Sequence, residues 1–174
     1  MPGHDLLSRL YGGKRTSTGE ATAVAAEALA RPELFGALFA GLEHEDSLVR
    51  MRAAYAVSKV AEARPDLLLP LKDRFIDRLA DPTNSALCRA CLLGALRTLE
   101  PSPDDVDLLK GLLLDFLHSE SSIVKTFSLQ LLFDFAEADP ALRPEVMPLL
   151  WDALERGTPA MRARARKLLK KYGL

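Results

Sequence analysis

Apolar positions recur at helical spacing from Thr18 to the end of the chain, and no run alternates apolar and polar residues between hairpin dipeptides. That pattern predicts an all-α chain. Proline marks the interruptions, at Pro32, Pro65, Pro101 with Pro103, and Pro140 with Pro144; an acid directly follows Pro32, Pro65, Pro103 and Pro144. Proline near the first helical position lacks only a donor that would be orphaned there anyway, and an acid meets the positive end of the helix dipole. Each break therefore predicts a helix start.

The pattern also repeats. Leu42, Leu79, Leu117 and Leu154 close successive apolar helices at intervals of 37, 38 and 37 residues. After each comes a polar turn and a second helix opening on an apolar residue and a base: Val49-Arg50, Cys88-Arg89, Val124-Lys125 and Met161-Arg162. Seven positions past the base stands another apolar residue, at Val57, Leu96, Leu132 and Leu169. A period of this length with two helices per unit marks a stacked helical repeat. The stretch "DSLVRMRAAYAVSKVA" (Asp46 to Ala61) carries an apolar arc broader than the stripe of a surface helix, as a helix packed between neighbouring repeats requires.

Within that stretch "LEHEDSLVRMRAAYAV" resembles the HEAT-repeat pattern: a leucine ending the first helix, an Asp-containing turn, a Val-Arg pair and an Ala-rich second helix. The resemblance covers residues 33 to 174. It implies a right-handed α-α superhelix of about four two-helix repeats, at 33–64, 66–100, 104–139 and 144–174, with a capping N-terminal helix at 18–31. The second turn, "LADPTNSALCR", is two residues longer than the first, and in "LERGTPAMR" the acid stands only at the margin. Residues 1–17 read as an N-terminal arm and flexible linker, in which "YGGKRTSTG" joins a short amphipathic segment, Asp5 to Tyr11, to the repeats. Whether that segment docks in cis or in trans is open at this level.

Composition changes this picture little. The 174 residues carry a net charge of -1, which predicts no overall attraction to nucleic acid or anionic lipid. No stretch approaches the ~18 apolar residues of a membrane span, and "MPGHDLLSRLYGG" lacks the regions of a secretory signal, so the expected address is cytoplasmic, with no membrane partner. Cys88 and Cys91 form a C-x-x-C, but no strand precedes it and Cys88 fills the slot held elsewhere by Val49, Val124 and Met161, which predicts packing. His44-Glu45 resembles one His-Glu pair of the HEAT-repeat di-iron hydroxylases, where several repeats each supply a pair; this is the only such dipeptide. No nucleophile elbow, phosphate loop or H-E-x-x-H occurs. We therefore expect no catalytic residue, cofactor or metal.

Charge is segregated, with the first helices summing to -8 and the second helices to +9. The resemblance implies that the second helices line the concave side. Candidate partner-binding residues there are Met51, Arg52, Tyr55, Lys59 and Arg97, followed by Phe127, Gln130, Arg164 and Lys167. Counting by the repeat places Arg52, Cys91, Phe127 and Arg164 in one row. Aromatic and flexible apolar groups beside bases suit the centre of a protein interface; whether Phe127 and Phe133 face outward is open. The repeated bases Arg50, Arg89, Lys125 and Arg162 form a ladder to which the family pattern gives a structural role. The expected function is a non-catalytic protein–protein interaction module or scaffold, taking a protein segment with acidic and apolar groups. The alternative is a nucleic-acid-binding protein of the kind that HEAT-like DNA glycosylases represent, against which the single Trp151, on a first helix, supplies no aromatic cluster.

Overall fold

The computed structural model describes residues 6–14 and 17–174, and the described residues are helical, with no strand among them. Of the expected arm, residues 1–5, 15 and 16 lie outside the described residues. The chain divides into two compact units, Met1–Glu100 and Pro101–Leu174.

In the first unit α1 is Ala21–Ala30, α2 Phe35–Ala40, α3 Ser47–Ala63, α4 Pro65–Leu68, α5 Lys72–Ala80 and α6 Ala86–Leu96. The helix α3 lies between α1 on one side and α6 on the other, with α2 and the 3-10 turn Gly41–Glu43 also against it. Ten of its 17 residues are buried, among them Ala53, Ala54, Ala56 and Ala61, whose small side chains admit close neighbours. The wide arc read from the sequence is thus the footprint of neighbouring helices. The first helix of the repeat expected at 66–100 is broken: α4 and α5 are separated by a 3-10 turn, Leu69–Leu71, around Pro70, which has no N–H to continue the ladder.

In the second unit α7 is Pro103–Phe116, α8 Ser122–Ala138, α9 Arg143–Arg156 and α10 Pro159–Leu169, followed by a 3-10 turn Lys170–Tyr172. The helix α8 packs against α7, α9 and α10, and α9 against α10. The slots that the repeat predicts to be apolar are filled in both units: Val49, Cys88, Val124 and Met161 are buried, as are Val57, Leu96, Leu132 and Leu169. The closing leucines divide. Leu42 and Leu79 are buried, whereas Leu117 and Leu154 are half-buried and their neighbours Phe116 and Ala153 go inward instead.

Every second helix starts on a side-chain cap four residues before the repeated base. Asp46 accepts from the Leu48 amide at 2.8 Å, Ser85 from Cys88 at 3.1 Å, Ser121 from Val124 at 3.4 Å and Thr158 from Met161 at 3.3 Å. At the capping position of the later turns a hydroxyl stands where the first turn has an acid, in the same capping role. The first helix of the second unit has a full capping box, Ser102 with Asp105, ahead of Pro103 at its first position.

Candidate interaction surfaces

The candidate residues do not share one environment. In the first unit Met51 and Arg52 are 4% and 1% exposed, which corrects the expectation that they face outward. They fall within the arc that neighbouring helices cover. Tyr55 is half-buried, and Lys59 and Arg97 are exposed. The Lys59 ammonium stands 5.8 Å from the Tyr55 ring centre and 3.0 Å from a Glu62 oxygen, and that carboxylate holds it above the ordinary lysine range. In the second unit Gln130, expected on the open strip, is buried; its amide donates to Asp134 at 2.7 Å and its oxygen accepts from the Arg164 guanidinium at 2.6 Å. Phe127 and Arg164 are half-buried and Lys167 is exposed. Phe133 is buried, its ring 5.3 Å from that of Tyr172, so of the two phenylalanines only Phe127 reaches the surface of its unit.

Arg52 is covered by the arm. Its Nε donates to the Ser17 carbonyl at 3.0 Å, Nη1 to those of Leu10 and Gly12 at 2.7 and 2.5 Å, and Nη2 to that of Lys14 at 3.1 Å. No carboxylate pairs with it among the described residues. The arm is seated in cis: Leu6 and Leu10 are buried, and Arg9 bridges Glu20 at 2.7 Å and Glu27 at 2.5 Å. The Tyr11 hydroxyl lies 2.5 Å from His44 Nε2; His44 Nδ1 accepts from the Asp46 amide, which leaves Nε2 to donate. Two glycines make the fit possible. At Gly19, where φ is +55, an added Cβ would come within 3.0 Å of Arg52 Cζ, and at Gly41 it would stand 2.8 Å from both Ala53 Cβ and Leu7 Cδ2. The described part of the expected flexible linker is thus a docked segment. Its signal was the four-residue spacing of Leu6 and Leu10, one helical turn apart on one face.

The repeated bases divide as well. Arg50 donates to the carbonyls of His44 and Glu45 at 2.7 and 2.9 Å and to Thr83 in the next turn at 3.3 Å, while Arg89 donates to the Asp81 carbonyl at 3.3 Å. Lys125 is half-buried and Arg162 exposed. Asp81 itself is held below the usual carboxylate range, chiefly by the Thr83 hydroxyl.

Burial pushes the Cys88 thiol up to about 12 and the Cys91 thiol up to about 11, the reverse of an activated nucleophile. Among the described residues no three His, Cys, Asp or Glu side chains come together as a metal site, and no helix is long and apolar enough to cross a membrane. The last helix and its turn carry six cations between Arg162 and Lys171 and no acid. None of the six forms an ion pair among the described residues.

The repeat slots, the capped second helices and the turn-binding bases are the features of one family, and a family model of the HEAT repeat domain matches residues 11–172. The chain belongs to the HEAT-repeat family. No curated protein and no solved structure matches it. HEAT repeats generally mediate protein–protein contacts as scaffolds and are typically non-catalytic. The match begins at residue 11, so the Leu6 to Leu10 segment docked on the repeats lies outside it.

Proposed function

We propose that this HEAT-repeat chain is a non-catalytic binding module whose second helices take an acidic protein segment with apolar side chains. The observation that carries the reading is the C-terminal helix: six cations with no acidic partner among the described residues, in the same unit as the half-exposed Phe127 on α8. Surface bases are ordinarily interspersed with acids; a run left uncompensated attracts an anionic partner and speeds its encounter. In the first unit the half-buried Tyr55 stands beside Lys59, which pairs with Glu62, and Arg97 is exposed at the end of the following second helix. Unpaired bases also suit phosphates, which supports a nucleic-acid reading, but Asp134 and Glu137 on α8 interrupt the charge that a phosphate rail would need.

Fluorescence anisotropy with a labelled peptide of alternating glutamate, leucine and phenylalanine tests this on the full chain. The expected result is saturable binding that the double reversal Arg166→Glu with Lys167→Glu abolishes without lowering the melting temperature. Absence of peptide binding, with steeply salt-dependent binding of a duplex DNA, would replace the protein reading by the nucleic-acid one.

A further inference from the structure

A buried guanidinium normally finds a carboxylate, because a charge-assisted, two-pronged pair is roughly twice as strong as bonds to neutral acceptors. Among the described residues Arg52 has carbonyl partners alone, all from the arm, at Leu10, Gly12, Lys14 and Ser17. The arm is held as well by the buried Leu6 and Leu10, the Arg9 bridges and the Tyr11–His44 bond. Past Tyr11 the backbone turns at Gly12 and Gly13, both at φ above +70, where glycine adopts the left-handed region without steric cost. The arm thus enters as a short helical turn and leaves through a turn at two glycines. It occupies its seat as a peptide ligand would.

We propose that the seat of the arm is an exchangeable peptide site: its preferred occupant is a partner segment with leucines four residues apart and a carboxylate one or two residues after the second. The leucines would take the places of Leu6 and Leu10. A base just before the second leucine, as at Arg9, would meet Glu20 and Glu27. The carboxylate would meet Arg52 where the arm offers the Gly12 carbonyl at 2.5 Å. The resident arm is then a weaker internal competitor that keeps the site filled. This surface is separate from the strip proposed above and does not rest on it.

The probe is the arm's own heptapeptide, residues 6–12, ending either in a free carboxylate at Gly12 or in an amide, with binding to the full-length protein read by anisotropy. The acid form should bind about tenfold or more tighter than the amide, since only it gives Arg52 a charged acceptor. Arg52→Gln, which removes the charge, should erase that preference, and loosening the resident arm with Leu10→Ser should strengthen binding of the acid form. Arg9→Ala, a change at a half-buried residue that removes no apolar core side chain, should strengthen it in the same direction and decides the matter if Leu10→Ser unfolds the first unit. Equal binding of acid and amide, or no binding of either by the Arg9→Ala protein, would overturn the proposal. So would a doubled mass in sedimentation, which would assign the seat to the arm of a second copy.

Discussion

Arg52 and Arg164 hold the same place in their repeats, two residues past the repeated base, and differ in all that surrounds them. Arg52 is 1% exposed and bound by four carbonyls of the docked arm; Arg164 is half-buried and donates to Gln130. The repeat decides which way a side chain leaves its helix. What lies over it is decided by neighbours outside the pattern, here a segment before the first repeat. Removing the two guanidinium groups should therefore have unequal effects. Arg52→Ala strips four carbonyls of their donor inside the fold and should cost on the order of 3 kcal/mol, against about 1 kcal/mol or less for Arg164→Ala. Urea unfolding of the two variants measures the difference, and equal losses would mean that the arm contributes nothing to the first unit.

The comparison sharpens when the arm is weakened and the repeat left alone. Leu10 is fully buried, so Leu10→Ala should cost about 2–3 kcal/mol through lost contacts and the space left behind. Gly41→Ala acts from the other side: its new methyl would meet Leu7 and Ala53, and either the arm or the turn must yield, at about 1–2 kcal/mol. Hydrogen exchange should show faster exchange at the Leu10 and Tyr11 amides in both variants. An unchanged midpoint for Leu10→Ala would show that the seat is empty in solution.

How much of this was legible follows the same division. The core slots at Val49, Cys88, Val124 and Met161 could be read directly, because a helix between two neighbours must be apolar there whatever else surrounds it. The N-caps are legible too: Ser85, Ser121 and Thr158 stand four residues before each base, where any side-chain oxygen able to accept an amide serves, not the acid of the first turn alone. Met51 and Gln130 lie at the edge of the open strip: a helix packed on two sides keeps only a narrow one, and one position crosses its edge. Arg52 was not recoverable from periodicity at all. Its burial depends on carbonyls 35 to 42 residues away, and carbonyls leave no trace in side-chain pattern.

A smaller contrast lies in the ladder of repeated bases. Arg89 reaches the Asp81 carbonyl in the turn before its helix, whereas Lys125 at the same repeat position is a point charge on a flexible stem without the guanidinium fork. Arg89→Ala should lower stability by about 1 kcal/mol, and Lys125→Ala should stay within about 0.5 kcal/mol of the parent. Thermal melts of the two variants under one buffer suffice. If Lys125→Ala is the more destabilising, the bases serve their repeats by another means than binding turn carbonyls.

The gentlest probe uses Cys91, which fills in the second repeat the place that Arg52 and Arg164 fill in the first and fourth. Burial keeps its thiol protonated up to about 11, and that of the deeper Cys88 up to about 12. A thiol raised in the folded chain contributes stability that is complete below the ordinary thiol range and is lost as pH rises through the folded values. At pH 8 both should react with a thiol reagent far more slowly than in the unfolded chain, Cys91 before Cys88, since Cys91 is half-buried and Cys88 is 2% exposed. As pH climbs from about 8.5 toward about 11, stability should fall in the parent and less in Cys91→Ser, whose hydroxyl does not titrate there. Rapid labelling of Cys91 at pH 8 would show this position to be as open in the second repeat as Arg52 is closed in the first.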